Sequence, residues 1–160
     1  MSKLHQPTWD ERAGAAMNAR RELPPLAASY FAQIRALLAD DPSSAKLHRL
    51  RLLTKRLRYT LELFRPCYGP GLETRLAALR RIQQSLGEVN DSAAAGRLLS
   101  QSMSTASPPR AHLLRYLEER AAVKAQEFRK DWAEVFDAPG QEIWWTTYLA
   151  RHARTPGRRP

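Results

Sequence analysis

Apolar residues recur along this chain at spacings of three and four, and period-two alternation of Val, Ile, Thr and aromatics is absent. That rhythm predicts helices throughout. A first helix is expected from near Thr8, with Asp10 and Glu11 in its opening turn, where acids suit the positive helix end. Pro24 and Pro25 should break or kink it, and a second segment to about Ala39 turns Leu26, Tyr30, Phe31, Ile34, Leu37 and Leu38 inward. Asp41-Pro42-Ser43-Ser44 reads as a turn with an N-cap. It opens a helix that runs to about Arg65, where Pro66 stops it.

Gly69-Pro70-Gly71 reads as a connector. The next helix, about Leu72 to Leu86, carries a stripe of Leu72, Leu76, Leu79, Ile82 and Leu86, with Arg75 and Arg81 off that stripe. Gly87 to Ser92 predicts a bend, Asn90 and Asp91 acting as turn and capping residues for a short helix to about Ser102. A long helix follows from about Arg110 to Phe136, with Leu113, Leu114, Leu117, Phe128, Trp132 and Phe136. A terminal helix, about Gln141 to His152, holds Trp144, Trp145 and Tyr148. Adjacent helical positions cannot face one way, so one tryptophan is expected in the core and the other at a partner surface. The reading is an all-α, antiparallel bundle of four to six helices over residues 8–152. A basic tail, 153–160, is expected to be disordered.

One helix departs from an ordinary amphipathic pattern. At about 100° per residue, His48, Arg51, Lys55 and Arg58 fall within an arc of about 80°, while Leu50, Leu53, Leu57, Leu61 and Phe64 cluster opposite. Solvated faces usually interleave both signs; here Glu62 is the one acid on the arc, placed to pair with Arg58 at i, i+4. Arg49 and Arg56 lie about a quarter-turn away and widen the basic surface. The chain as a whole has 26 Lys and Arg against 16 Asp and Glu, a net charge of +10. That balance points to nucleic acid, another polyanion or an anionic surface. Most of the cations are Arg, whose planar fork takes phosphate oxygens in pairs.

The remaining chemistry is excluded more easily than assigned. Cys67 is the single cysteine, so neither an internal disulfide nor a cysteine zinc site is expected. No apolar run approaches the roughly 20 residues of a membrane span, and the start of the chain lacks a signal-peptide core. The protein is expected to be cytoplasmic, off the membrane, and without cofactor or metal. Phosphoryl transfer generally needs acids that hold Mg²⁺. One acid on the ridge, and no GxxxxGKS loop, argue for a non-catalytic protein.

HRLRLLTKRLRYTLELF (His48 to Phe64) followed by LRRIQQSLGEVNDSAAAGRLL (Leu79 to Leu99) resembles the CHAD family, the conserved-histidine α-helical domain. The resemblance implies paired helical bundles that bind inorganic polyphosphate through a basic channel without being catalytic. It places His48, Arg51, Lys55, Arg58 and Tyr59 at or beside the anion site. Independently of it, Arg49, Arg56, Arg75 and Arg81 are further candidate contacts. His48 would give an N–H to a phosphate oxygen; Tyr59 would pack while its hydroxyl reaches the anion. The usual domain carries two basic repeats, and this chain resembles the second only, half of a double bundle. The expectation is therefore that two chains pair as a homodimer about a two-fold axis to rebuild the channel. Targeting to polyphosphate granules would follow. Three alternatives remain: a nucleic-acid-binding helical protein, an accessory domain of a phosphate-ester or anhydride hydrolase, and a half-domain scaffold.

Overall fold

The computed structural model describes residues 4–40 and 42–156. Among these residues six α-helices follow one another: α1 (Ala15–Leu38), α2 (Ser44–Leu63), α3 (Arg65–Tyr68), α4 (Pro70–Ser102), α5 (Pro108–Asp131) and α6 (Gln141–Arg151). A π-helical turn, Trp132–Phe136, extends α5. No strand occurs among the described residues; the fold is an all-α bundle.

Three expectations about helix boundaries need correcting. Residues 8–13 are not helical, so Asp10 and Glu11 open no helix. Side chains of α1 clasp this segment instead: Asn18 accepts from the Asp10 N–H at 2.9 Å, and Glu22 accepts from the Thr8 N–H at 3.0 Å. Pro24 and Pro25 do not break α1. Pro25 is exposed and Pro24 half-buried, and the carbonyls they leave without a donor belong to Arg20 and Arg21, both exposed residues. Leu23, Leu26, Ala27 and Tyr30, fully buried, anchor the inner side of α1 on either side of the two prolines.

The third correction bears on the site. No bend interrupts residues 87–92: α4 runs through them as one helix of 33 residues, about 50 Å long. Asn90 and Asp91 are helical rather than turn or capping residues. Gly87 weakens a helix by about 1 kcal/mol relative to Ala, but burial of Leu86, Val89 and Ser92 on either side keeps the helix formed. The same continuity carries α4 past the core. No residue of α4 beyond Ser92, and none of α5 before Phe128, is buried. Leu113 is 38% exposed on this two-helix arm.

An aromatic cluster fills the centre. Phe31 meets Trp132, Phe136 and Trp145 with ring centroids 5.7 to 6.0 Å apart. The π turn stacks Trp132 on Phe136 at 5.4 Å. Beyond α6 the chain stays attached at first: Ala153 is buried, and the Arg154 N–H donates to the Cys67 carbonyl at 2.8 Å. The expected loose tail therefore does not begin at 153, and its last four residues lie outside those described.

Candidate anion-binding site

Ser43 caps α2 by accepting from the Lys46 N–H at 3.3 Å, and Leu50, Leu57 and Leu61 bury the opposite face completely. That burial fixes the rotation of α2 and turns His48, Arg51, Lys55 and Arg58 toward the outer edge of α4. What α4 presents there is neutral. Gln83, Gly87 and Asn90, spaced by four and then three residues, share one helical side.

Each has its own contact. His48 Nδ1 lies 2.8 Å from Asn90 Oδ1. Arg51 Nε passes over Gly87, where a built Cβ would sit 3.8 Å away. Arg58 Nε donates to Gln83 Oε1 at 2.8 Å. None of the three was recognised as part of the site from sequence. Their spacing opposite the basic ridge is the signal that could have found them.

The ridge is compensated at one end only. Arg58 Nη1 donates to Glu62 Oε1 at 2.6 Å, the expected i, i+4 pair, and Arg80 reaches the same oxygen at 3.2 Å. Arg80 also lies 3.8 Å from Glu73, which pairs with Arg65. Toward the start of α2 the one printed-distance ion pair among the described residues lies off the ridge, Lys46 with Asp40 at 3.5 Å. Arg51 Nε is buried without a hydrogen-bond partner among the described residues. Lys55 has no carboxylate partner among them; its ammonium lies 5.4 Å from the centre of the Tyr59 ring. The Arg58 guanidinium covers the same ring at 4.4 Å, and Tyr59 is 46% exposed, so it is more solvated than the packing expectation implied. Arg49 is half-buried and Arg56 exposed on the flank of α2.

Arg75 and Arg81 are not part of this groove. Arg75 is buried between α4 and α6, with its guanidinium 3.3 Å from the Trp144 ring centre and 3.7 Å from that of Tyr148. It donates to the carbonyls of Gly71 and Trp144, each at 3.1 Å. Burial pulls its pKa down to about 10. Trp145 is the core tryptophan, 1% exposed, and Trp144 serves as the lid over Arg75. Arg81 points the other way and pairs with Asp131 of α5 at 3.0 Å. Wheel position relative to the core stripe could not distinguish these destinations.

A family model described as CHAD domain matches residues 1–100. The chain belongs to the CHAD family. The matched stretch contains α1, α2, α3 and most of α4, and with them the whole groove. Searches of curated proteins and of solved structures returned no match. No helix among the described residues is long and apolar enough to cross a membrane.

Proposed function

We propose that this CHAD protein binds inorganic polyphosphate along the groove between α2 and α4, without chemistry, and that this binding can carry it to polyphosphate granules. The observation behind the reading is the pairing of a cationic ridge with a neutral wall. Gln83, Gly87 and Asn90 orient or accommodate the cations without neutralising them, which leaves Arg51 and Lys55 uncompensated. Arg51 Nε shares its lack of an acceptor with Arg75 and Arg110, but of the three only Arg51 stands on the ridge, where a small turn of the side chain offers that N–H to a phosphate oxygen. Charge-assisted hydrogen bonds of this kind contribute about 1.5–3 kcal/mol each. Successive turns of α2 repeat the contact along a polyanion with no sequence to read. The single ridge is open on its outer side, which supports the homodimer as the unit that encloses the ligand.

One observation favours a competing reading. Tyr59 is an exposed ring beside the cations, the kind of platform on which a single-stranded base stacks. Competition between polyphosphate and single-stranded DNA of equal charge tests both. Polyphosphate should displace the DNA well before DNA displaces polyphosphate. The reverse order would transfer the groove to nucleic acid, and phosphate release from polyphosphate with Mg²⁺ would make the protein an enzyme.

A further inference from the structure

The two ends of the ridge differ. Past Arg58 the line of the groove is taken up by carboxylates. One oxygen of Glu62 holds Arg58 at 2.6 Å and Arg80 at 3.2 Å, and Glu73 lies 3.8 Å from Arg80 while pairing with Arg65. At the His48 end, Asp40 is paired with Lys46 at 3.5 Å, and α2 begins at Ser44. The contacts of His48 with Asn90, Arg51 with Gly87 and Arg58 with Gln83 run in opposite sequence order, so α2 and α4 are antiparallel. Ser44 therefore ends the ridge helix about 6 Å beyond the level of Asn90, whereas α4 continues from Asn90 to Ser102, about 18 Å.

The wall of the groove continues with it. The spacing of Gln83, Gly87 and Asn90, four and then three, goes on through Ala94, Arg97 and Gln101. At about 100° per residue all six lie within an arc of about 80°. The last three are exposed, so this side of the arm is open. Arg97 is the one cation among the six. It has no hydrogen-bond or ion-pair partner among the described residues. Glu118 borders the neighbouring cleft with it but forms no ion pair with it.

We propose that a polyphosphate longer than the ridge leaves it at His48 and continues along α4 onto the arm, where Arg97 takes a further phosphate. This rests on the polyphosphate reading and adds the direction of the ligand and a contact seven residues beyond the groove. Charge sets the direction. Phosphates past Arg58 meet Glu62 and Glu73 and are repelled, while phosphates past His48 meet the small side chain of Ala94 and then an unpaired guanidinium. The ridge from Arg58 to His48 is about 15 Å long, and Arg97 stands about 10 Å along α4 from Asn90. A ligand that touches the whole path spans about 25 Å.

The test uses the full chain and two polyphosphates, one of about 15 Å that fills the ridge and one of about 25 Å that reaches Arg97. Isothermal calorimetry at several salt concentrations, with the anion titrated to excess, reads affinity and salt slope. The wild type should hold the longer strand about tenfold more tightly, the gain of one charge-assisted hydrogen bond. Arg97→Gln should remove that gain, lower the salt slope for the longer strand by about 0.7, and leave the shorter strand within twofold. Arg115→Gln is the control. Arg115 is exposed, has no partner among the described residues, and lies on the side of α5 opposite Arg120, Lys124 and Asp131, which meet α4. Its loss should change neither strand by more than twofold. Circular dichroism confirms the fold of both variants. Equal wild-type affinity for the two strands overturns the inference and spares the functional reading. So does a longer strand that Arg97→Gln holds as tightly as wild type, or a loss shared equally by both strands or by Arg115→Gln. No binding of either strand by the wild type removes the functional reading and this inference together.

Discussion

His48 Nδ1 and Asn90 Oδ1 lie 2.8 Å apart, bridging α2 and α4. A carbonyl oxygen only accepts, so in this arrangement the proton of a neutral His48 ring sits on Nδ1 and its lone pair on Nε2. A lone pair turned to a phosphate repels it. Asn90→Ala frees the ring to turn an N–H toward the anion and should raise polyphosphate affinity about threefold, part of the worth of one charge-assisted hydrogen bond. His48→Ala in the same background should remove the gain. Anisotropy titrations at one pH and ionic strength measure it; unchanged affinity in Asn90→Ala would count against the role given to Asn90.

Arg51 and Arg58 stand on the same ridge in different surroundings, one with an unpaired Nε and one tied to Glu62 and Gln83. Reversing both, Arg51→Glu with Arg58→Glu, should abolish binding while helical content by circular dichroism stays unchanged. In the wild type, neutralising about five phosphates sets a log–log salt slope of about −3.5, so tripling salt weakens binding about fifty-fold. Retained affinity in the double variant, or a slope near zero, places the site elsewhere on the molecule.

Arg75 is the counter-example among the cations. Its guanidinium lies against Trp144 and Tyr148, 3.3 Å and 3.7 Å from their ring centres. Cation–π contacts of a desolvated guanidinium are worth about 2 kcal/mol. Truncation also removes the donors to the carbonyls of Gly71 and Trp144. Arg75→Ala should cost about 2–3 kcal/mol in urea unfolding and leave polyphosphate affinity unchanged within twofold. A large loss of affinity in a folded variant would return Arg75 to the site.

These three arginines mark how far sequence alone reaches. Helical rhythm locates α2, its Ser43 cap and its ridge, because all of that is local. The fate of Arg75 depends on Trp144, 69 residues later in the chain, and no wheel contains that contact. Gly87 and Asn90 were read as a bend because their intrinsic preferences favour one. Burial of Leu86, Val89 and Ser92 outweighs those preferences and turns the weak helix formers toward α2. The prolines of α1 give the same lesson: a local rule that breaks helices yields to a fully packed inner face. The groove became visible only when both of its walls were in place.

Glu22 offers a separate handle, on stability rather than binding. Its carboxylate accepts from the Thr8 N–H at 3.0 Å and from Arg21 Nε at 2.8 Å, with His5 Nε2 at 3.2 Å. The Thr8 hydrogen bond leads, followed by Arg21, and together these contacts bring its pKa from 4.5 down to about 2. A carboxyl that is more acidic in the native state binds fewer protons there than in the unfolded chain. Its stabilising effect is thus fully present above about pH 4.5 and is lost as pH falls toward about 2. Glu22→Gln should destabilise the protein by about 2–3 kcal/mol at pH 7. The gap should shrink to under about 1 kcal/mol near pH 2, where the native carboxyl is half protonated, and vanish below it. Urea unfolding at pH 7, 4 and 2.5 reads the convergence directly. A gap that stays constant across those three conditions would mean that the carboxylate's charge contributes nothing, and that Glu22 holds the 4–13 segment through packing alone.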